Sequence, residues 1–213
     1  MTDKITVNEQ SSIRIESEAG VIYIDPFRIG GEKHDADYIF VTHDHYDHFS
    51  PEDIRKVAKT DSVLIVPDKM ISKAKELSSE VSAIEAVKAN ESYNIRGLEF
   101  ETIPAYNALK PFHTKGAGWV GYIFTVDGKR IYVAGDTDAT KEAKSVKCDI
   151  ALVPIGGTYT MDAKKAAELI NTIRPAVAIP THYGSIVGSA TDGQVFADLV
   201  DSAITVDIKL QKM

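Results

Sequence analysis

The chain has 213 residues, 44% of them hydrophobic and 26% charged, with 8 prolines; this is ordinary globular usage, long enough for one domain with a sizeable core, and it excludes a disordered or fibrous chain. A formal charge of −7 leaves no electrostatic footprint for nucleic acid or an anionic membrane, so nucleic acid is not an expected partner. A single cysteine, Cys148, an N-terminus without the apolar stretch of a signal peptide, and no apolar run near the roughly 18 residues of a membrane span predict a cytoplasmic protein outside the membrane.

In chain order, Ile5 to Val7, Ser12 to Ile15, Val21 to Asp25 and Tyr38 to Thr42 read as short strands with turn residues between them. Ser50 as N-cap, Pro51 at the first helical position and Asp53 in the first turn predict a helix running to about Lys59. Ser62 to Val66 reads as a buried strand, Asp68 as the cap of a helix to about Leu77, and Ile95 to Ile103 and Trp119 to Val126 as further strands. Arg130 to Ala134 and Asp149 to Pro154 are apolar strands, and Asp162 caps a helix from Ala163 to Ile173. A strand from Ala176 to Pro180 and a last helix near Thr191 complete the pattern. Strands interleave with helices and no linker or composition break divides them, so the expectation is an α/β (α+β) chain forming a single domain over 1–213, its sheets covered by helices.

The chemistry concentrates where the strand ending at Thr42 runs into His43-Asp44-His45-Tyr46-Asp47-His48, just before the helix near Ser50. Three of the chain's 6 histidines fall within these six residues, which argues against a histidine-rich loop by chance. His43 and His45, two apart in an extended stretch, point the same way, while Asp47 and His48 lie past the bend and face a second position. Imidazole with carboxylate suits zinc, iron or manganese. The lack of cysteine in the run argues for an open, catalytic site rather than a closed structural one.

At these residues the chain resembles the metallo-β-lactamase-fold hydrolases, whose signature is this H-x-H-x-D-H run after a strand. The resemblance extends to Ile24-Asp25-Pro26-Phe27, Gly135-Asp136-Thr137-Asp138 and Pro180-Thr181-His182-Tyr183-Gly184, in matching order. It implies a four-layer αββα sandwich with metal ligands on loops at one edge of the two sheets. The small, cap-less branch, similar to ascorbate-phosphate lactonase-like proteins, fits best. Carried over residue by residue, the resemblance assigns His43 and His45 to one metal, Asp47 and His48 to the other, Asp136 as the bridge and His182 to the second site. Taken alone, Asp136 reads as a turn residue and His182 as a strand cap; their places after apolar strands favour ligands. Asp25 is expected to orient a ligand imidazole without being one. The chain departs from the family after Ile103-Pro104-Ala105, where many members carry a histidine and this sequence has Tyr106-Asn107. The expected replacement is His113 folding back from the loop, with Asn107 as the alternative.

The reading is therefore a hydrolase that uses metal-activated hydroxide on a small anionic lactone, ester, amide or phosphodiester. Zn2+ is the expected cofactor, one or two ions, with Mn2+, Fe2+ or Ni2+ also suited, and Asp47 orients or deprotonates the water. The alternatives are a nuclease of the same superfamily or a non-enzymatic metal- or ligand-binding protein. His45 argues against the di-iron redox branch, which has an acid at that position. His34 reads as part of a solvated charge cluster and Cys148 as a small core residue. Gly156-Gly157-Thr158-Tyr159 is either pocket lining or a turn, and Trp119 and Tyr122 are expected in the core.

Overall fold

Apolar alternation in the first half of the chain builds one sheet, and a second series of strands builds its counterpart. The computed structural model describes residues 1–108, 110 and 112–210; Leu109, Pro111 and the last three residues of the expected 1–213 domain lie outside the described residues. The first half contains β1 (Ile5–Val7), β2 (Ile13–Ser17), β3 (Gly20–Ile24), β4 (Ala36–Phe40), α1 (Pro51–Val57), β5 (Ala58–Pro67), α2 (Ile71–Ala74) and β6 (Ala83–Val87). The second contains β7 (Ser92–Ile95), β8 (Leu98–Pro104), β9 (Val120–Val126), β10 (Lys129–Val133), α3 (Lys141–Lys144), β11 (Ile150–Pro154), α4 (Ala163–Ile173), β12 (Val177–Thr181), α5 (Asp192–Leu199) and β13 (Thr205–Val206).

Strands β1 to β6 lie side by side in chain order, antiparallel through β3 and parallel from β3 onward. The second sheet runs β13-β12-β11-β10-β9-β8-β7, parallel from β13 to β10 and antiparallel beyond. Successive residues split between the two faces of each strand. Phe40, Ile65, Ile131 and Leu152 face the space between the sheets, where Phe40 meets Phe100, Tyr122 and Phe124 edge-on at 4.8 to 5.0 Å. Their neighbours Ile39 and Leu64 pack outward with Ile54 and Val57 of α1. Tyr132 and Val153 pack outward with Leu169, Ile170 and Phe196 of α4 and α5. Each buried ring contributes about 2 to 3 kcal/mol. Helices outside and sheets inside make the four-layer αββα sandwich implied by the resemblance.

Most elements lie where expected, and the exceptions have local causes. Ser50 Oγ accepts from Asp53 N–H at 3.3 Å, and Asp162 does the same for Lys165 N–H at 2.8 Å. Asp68 is not a cap: it is the first residue of a 3-10 turn that precedes the four-residue α2, and a second 3-10 turn follows to Leu77. The stretch from Ile95 is a hairpin rather than one strand. Arg96 and Gly97, at φ 51° and 90°, turn β7 back into β8. Among the described residues no helix is long and apolar enough to cross a membrane.

Candidate metal centre

The topology brings several strand ends to one edge. Strands β3, β4 and β5 are mutually parallel, as are β10, β11 and β12, and β8 runs in the same direction as β10 because each pairs antiparallel with β9. Asp25 follows β3, the 43–48 run follows β4, Asn107 follows β8, Asp136 follows β10, Gly156 follows β11 and His182 follows β12. The edges of the two sheets are joined there, with Val120 N–H donating to Thr42 O at 3.2 Å and the Tyr122 hydroxyl to Val41 O at 2.7 Å.

The side chains expected to bind metal converge. Among the described residues, ligand atoms of His43, His45, His113 and Asp136 lie within 4.8 Å of one another, and those of Asp47, His48 and His182 form a second such group. Asp136 lies between them. Its Oδ2 is 3.2 Å from His113 Nε2, 3.9 Å from His43 Nε2 and 3.4 Å from His182 Nε2, and its Oδ1 is 3.4 Å from His48 Nε2. Facing nitrogens of His43 and His45 are 3.1 Å apart, and Asp47 Oδ2 is 3.3 Å from His182 Nε2. All but the half-buried His45 are buried. Burial opposes the charge of Asp136, but the imidazoles of His182 and His48 outweigh it and hold the carboxyl well below its ordinary range. Burial and the charge of His48 push His43 well down. His48 is raised to about 9, with burial opposing and the carboxylates of Asp136 and Asp25 prevailing. Asp47 is held low because the facing imidazoles of His182 and His48 overcome its own burial.

Despite this crowding, His48 Nε2, His113 Nε2, His182 Nε2 and Asp136 Oδ1 are buried and make no hydrogen bond among the described residues. Leaving such atoms unmet costs about 1 to 3 kcal/mol each. Imidazole and carboxylate donors aimed at shared points fit divalent transition-metal ions.

A supporting layer fixes the donors. Asp25, fully buried, accepts from Thr42 N–H at 2.8 Å, the Thr42 hydroxyl at 2.7 Å and His48 Nδ1–H at 2.7 Å. It does so from a left-handed backbone at φ 48°, a conformation that an aspartate tolerates better than most residues. His182 is also left-handed, at φ 57°, and its N–H donates to Gln10 O at 2.9 Å. Gly156 serves this turn: a Cβ there would come within 2.3 Å of His182 O. The glycine therefore admits the His182 backbone, and from that segment Tyr159 lines the cavity.

Trp119 differs from its expected place in the core, and Asn107 stands beside the donor His113. Trp119 is half-buried just before β9, and its ring packs 4.9 Å from His43, 5.0 Å from His45 and 5.3 Å from His113, walling the imidazole cluster instead of joining the core. Tyr122, by contrast, is fully buried between the sheets. Asn107 Nδ2 contacts His113 Nδ1 at 3.1 Å and donates to Tyr159 O at 2.7 Å. No sequence signal marked either role, because both depend on how residues 105–119 fold back. His34 contacts Ala58 O and Glu32 away from the centre.

Fold and site together describe a metal-binding αββα protein. The chain belongs to the beta-lactamase superfamily, whose domain model matches residues 4–182. A UPF0173 metal-dependent hydrolase of Pyrococcus abyssi is 32% identical over 203 residues, covering 88% of both chains. A solved structure from Parabacteroides distasonis, described as a metal-dependent hydrolase, is 31% identical with a TM-score of 0.81 and covers 97% of this chain and 93% of its own. The metallo hydrolase Igni18 of Ignicoccus hospitalis shares the fold at 21% identity, with a TM-score of 0.78 over 98% and 95% of the two chains. The relatives similar in sequence are thus named as metal-dependent hydrolases; those names specify no substrate.

Proposed function

We propose that the chain, acting as one domain over 1–213, binds two zinc ions and hydrolyses an ester, lactone, amide or phosphodiester bond in a small molecule. The observation that carries this reading is the convergence of seven donor side chains, four of which, His45, Asp47, Asp136 and His182, line a cavity of about 270 Å³. His43, His45 and His113 would hold the first ion and Asp47, His48 and His182 the second, with Asp136 available to both. Mn2+, Fe2+ or Ni2+ suit the same donors. When bound, the ions supply Lewis acidity that polarises the scissile carbonyl or phosphoryl oxygen and acidifies water. Asp47 lines the cavity; its carboxylate would accept a hydrogen bond from a water held there and orient it. Asp25 keeps His48 in one orientation, and Asn107 does the same for His113.

Charge favours a substrate that is anionic at its reacting end, because the ions bring positive charge to a chain whose formal charge is −7. That acidity disfavours long nucleic acid. A lone cysteine suits the reducing cytoplasm. Plasma mass spectrometry after metal-supplemented expression, followed by a turnover panel of esters, lactones, amides and phosphodiesters, tests the reading. About two equivalents of metal and turnover abolished by chelation are expected. A protein that holds metal and turns over no member of the panel is a binding protein, and one that takes up no metal refutes the centre itself.

A further inference from the structure

Of the six large hydrophobic side chains that are exposed among the described residues, three gather at the mouth of the centre: Tyr46 at 65% exposure, Phe112 at 49% and Tyr159 at 37%. Tyr46 and Tyr159 line the cavity with Ile186, above His45, Asp47, Asp136 and His182. Both tyrosines pack against a second ring. Phe27 meets Tyr46 edge-on at 6.0 Å, and Phe112 meets Tyr159 edge-on at 4.9 Å. Exposed aromatic rings fixed around a concave site mark a surface that binds an apolar group.

The nearby cations are engaged elsewhere. Arg28 pairs with Glu9 and lies over the Phe27 ring. Lys110 is bonded to the carbonyls of Gly157 and Thr160 and lies 3.4 Å from Asp138. No Arg or Lys lines the cavity among the described residues. A larger cleft of about 370 Å³ lies by β2 and β3, but there Arg14 and Tyr23 are already bonded to Asp35 and no donor set faces it.

Resting on the hydrolase reading above, we infer that the substrate carries an uncharged phenyl-sized group that sits between Tyr46 and Tyr159 against Ile186, with its scissile bond toward Asp136. The size agrees: an apolar cavity of about 150 Å³ accepts benzene, so about 270 Å³ holds a ring and a short acyl or phosphoryl unit. Tyr46 and Tyr159 are therefore specificity residues, acting on binding of the distal group and leaving the ions untouched.

The test compares matched probes on the metal-loaded protein: hydrolysis of methyl phenylacetate against methyl acetate, and calorimetric binding of phenylacetate against acetate. The phenyl member should lead by about tenfold in kcat/KM and in affinity. Tyr159→Ser and Tyr46→Ser should each erase most of that lead through KM, with metal content and circular dichroism unchanged. If neither ester is hydrolysed but phenylacetate still binds about tenfold tighter and loses this in Tyr159→Ser, the rim assignment stands and the ester-hydrolysis reading fails. Equal binding of phenylacetate and acetate, or a lead that both variants preserve, overturns the inference even where hydrolysis is found.

Discussion

His48 faces Oδ1 of Asp136 and His113 faces Oδ2, and the two are held in different ways. His48 sits in a tight strand-to-helix connection, three residues before Pro51, with its Nδ1 bonded to the fully buried Asp25 at 2.7 Å. His113 comes from the middle of the 105–119 connection, and its fixings are Asn107, through the side chain at 3.1 Å and a backbone bond at 2.7 Å, and the packed face of Trp119. One donor is positioned by the sheet itself and the other by a loop folding on itself. The sheet-held half should therefore tie metal binding to global stability, and the loop-held half should lose metal without unfolding.

Asp136→Ala removes the carboxylate common to both halves and should have the largest effect, lowering turnover by about 10³-fold and metal content at both positions. The variant should remain folded, because Asp136 lies beyond the end of β10. Near-normal turnover and metal stoichiometry would reduce Asp136 to a turn residue. Asp25→Ala attacks the sheet-held half. It strands Thr42 N–H, the Thr42 hydroxyl and His48 Nδ1–H in a buried space, at a cost of about 3 kcal/mol in denaturant unfolding of the metal-free protein. Affinity for the second ion should fall about 10- to 100-fold. An unchanged unfolding midpoint would contradict the contrast between the two halves.

Asn107→Ala probes the loop-held half. Affinity for the first ion should fall about tenfold, while stability changes by less than about 1 kcal/mol. Trp119, the chain's only tryptophan, packs on three of the four first-ion donors, so metal titration should perturb its emission and report that step directly. A fluorescence titration indistinguishable from wild type would remove Asn107 from its positioning role. The smallest effect concerns a control far from the centre. Burial pushes the Cys148 thiol up to about 12 from 9.0, which cuts its thiolate population at pH 8 about a thousandfold. Thiol labelling should be slow in the native protein and in Asn107→Ala, and rapid after denaturation; fast native labelling would mean that β11 and its approach are looser than the structure has them.

The same contrast explains what was legible in advance. The 43–48 run declared itself because its donors are adjacent and bracketed by a strand and a capped helix, signals of short range. Asp136 and His182 were readable through motifs that follow apolar strands. Tyr46, in the middle of the best-marked motif, gave no hint that it forms a rim, since that depends on Tyr159, more than a hundred residues away in the chain. Asp68 and the Arg96-Gly97 turn were misread because capping residues and short hairpins compete with the same local signals.

Alternation of apolar residues every second position was enough to dictate strands with two buried faces, and donor chemistry was enough to mark a candidate metal-binding cluster, because both depend on neighbours a few residues apart. That Trp119 walls the imidazoles, that Asn107 holds His113, and that aromatic rings from two halves of the chain frame one cavity were decided only when two sheets packed face to face. Long-range packing places side chains that carry no local signature, and periodicity along the chain does not record which strand ends will meet.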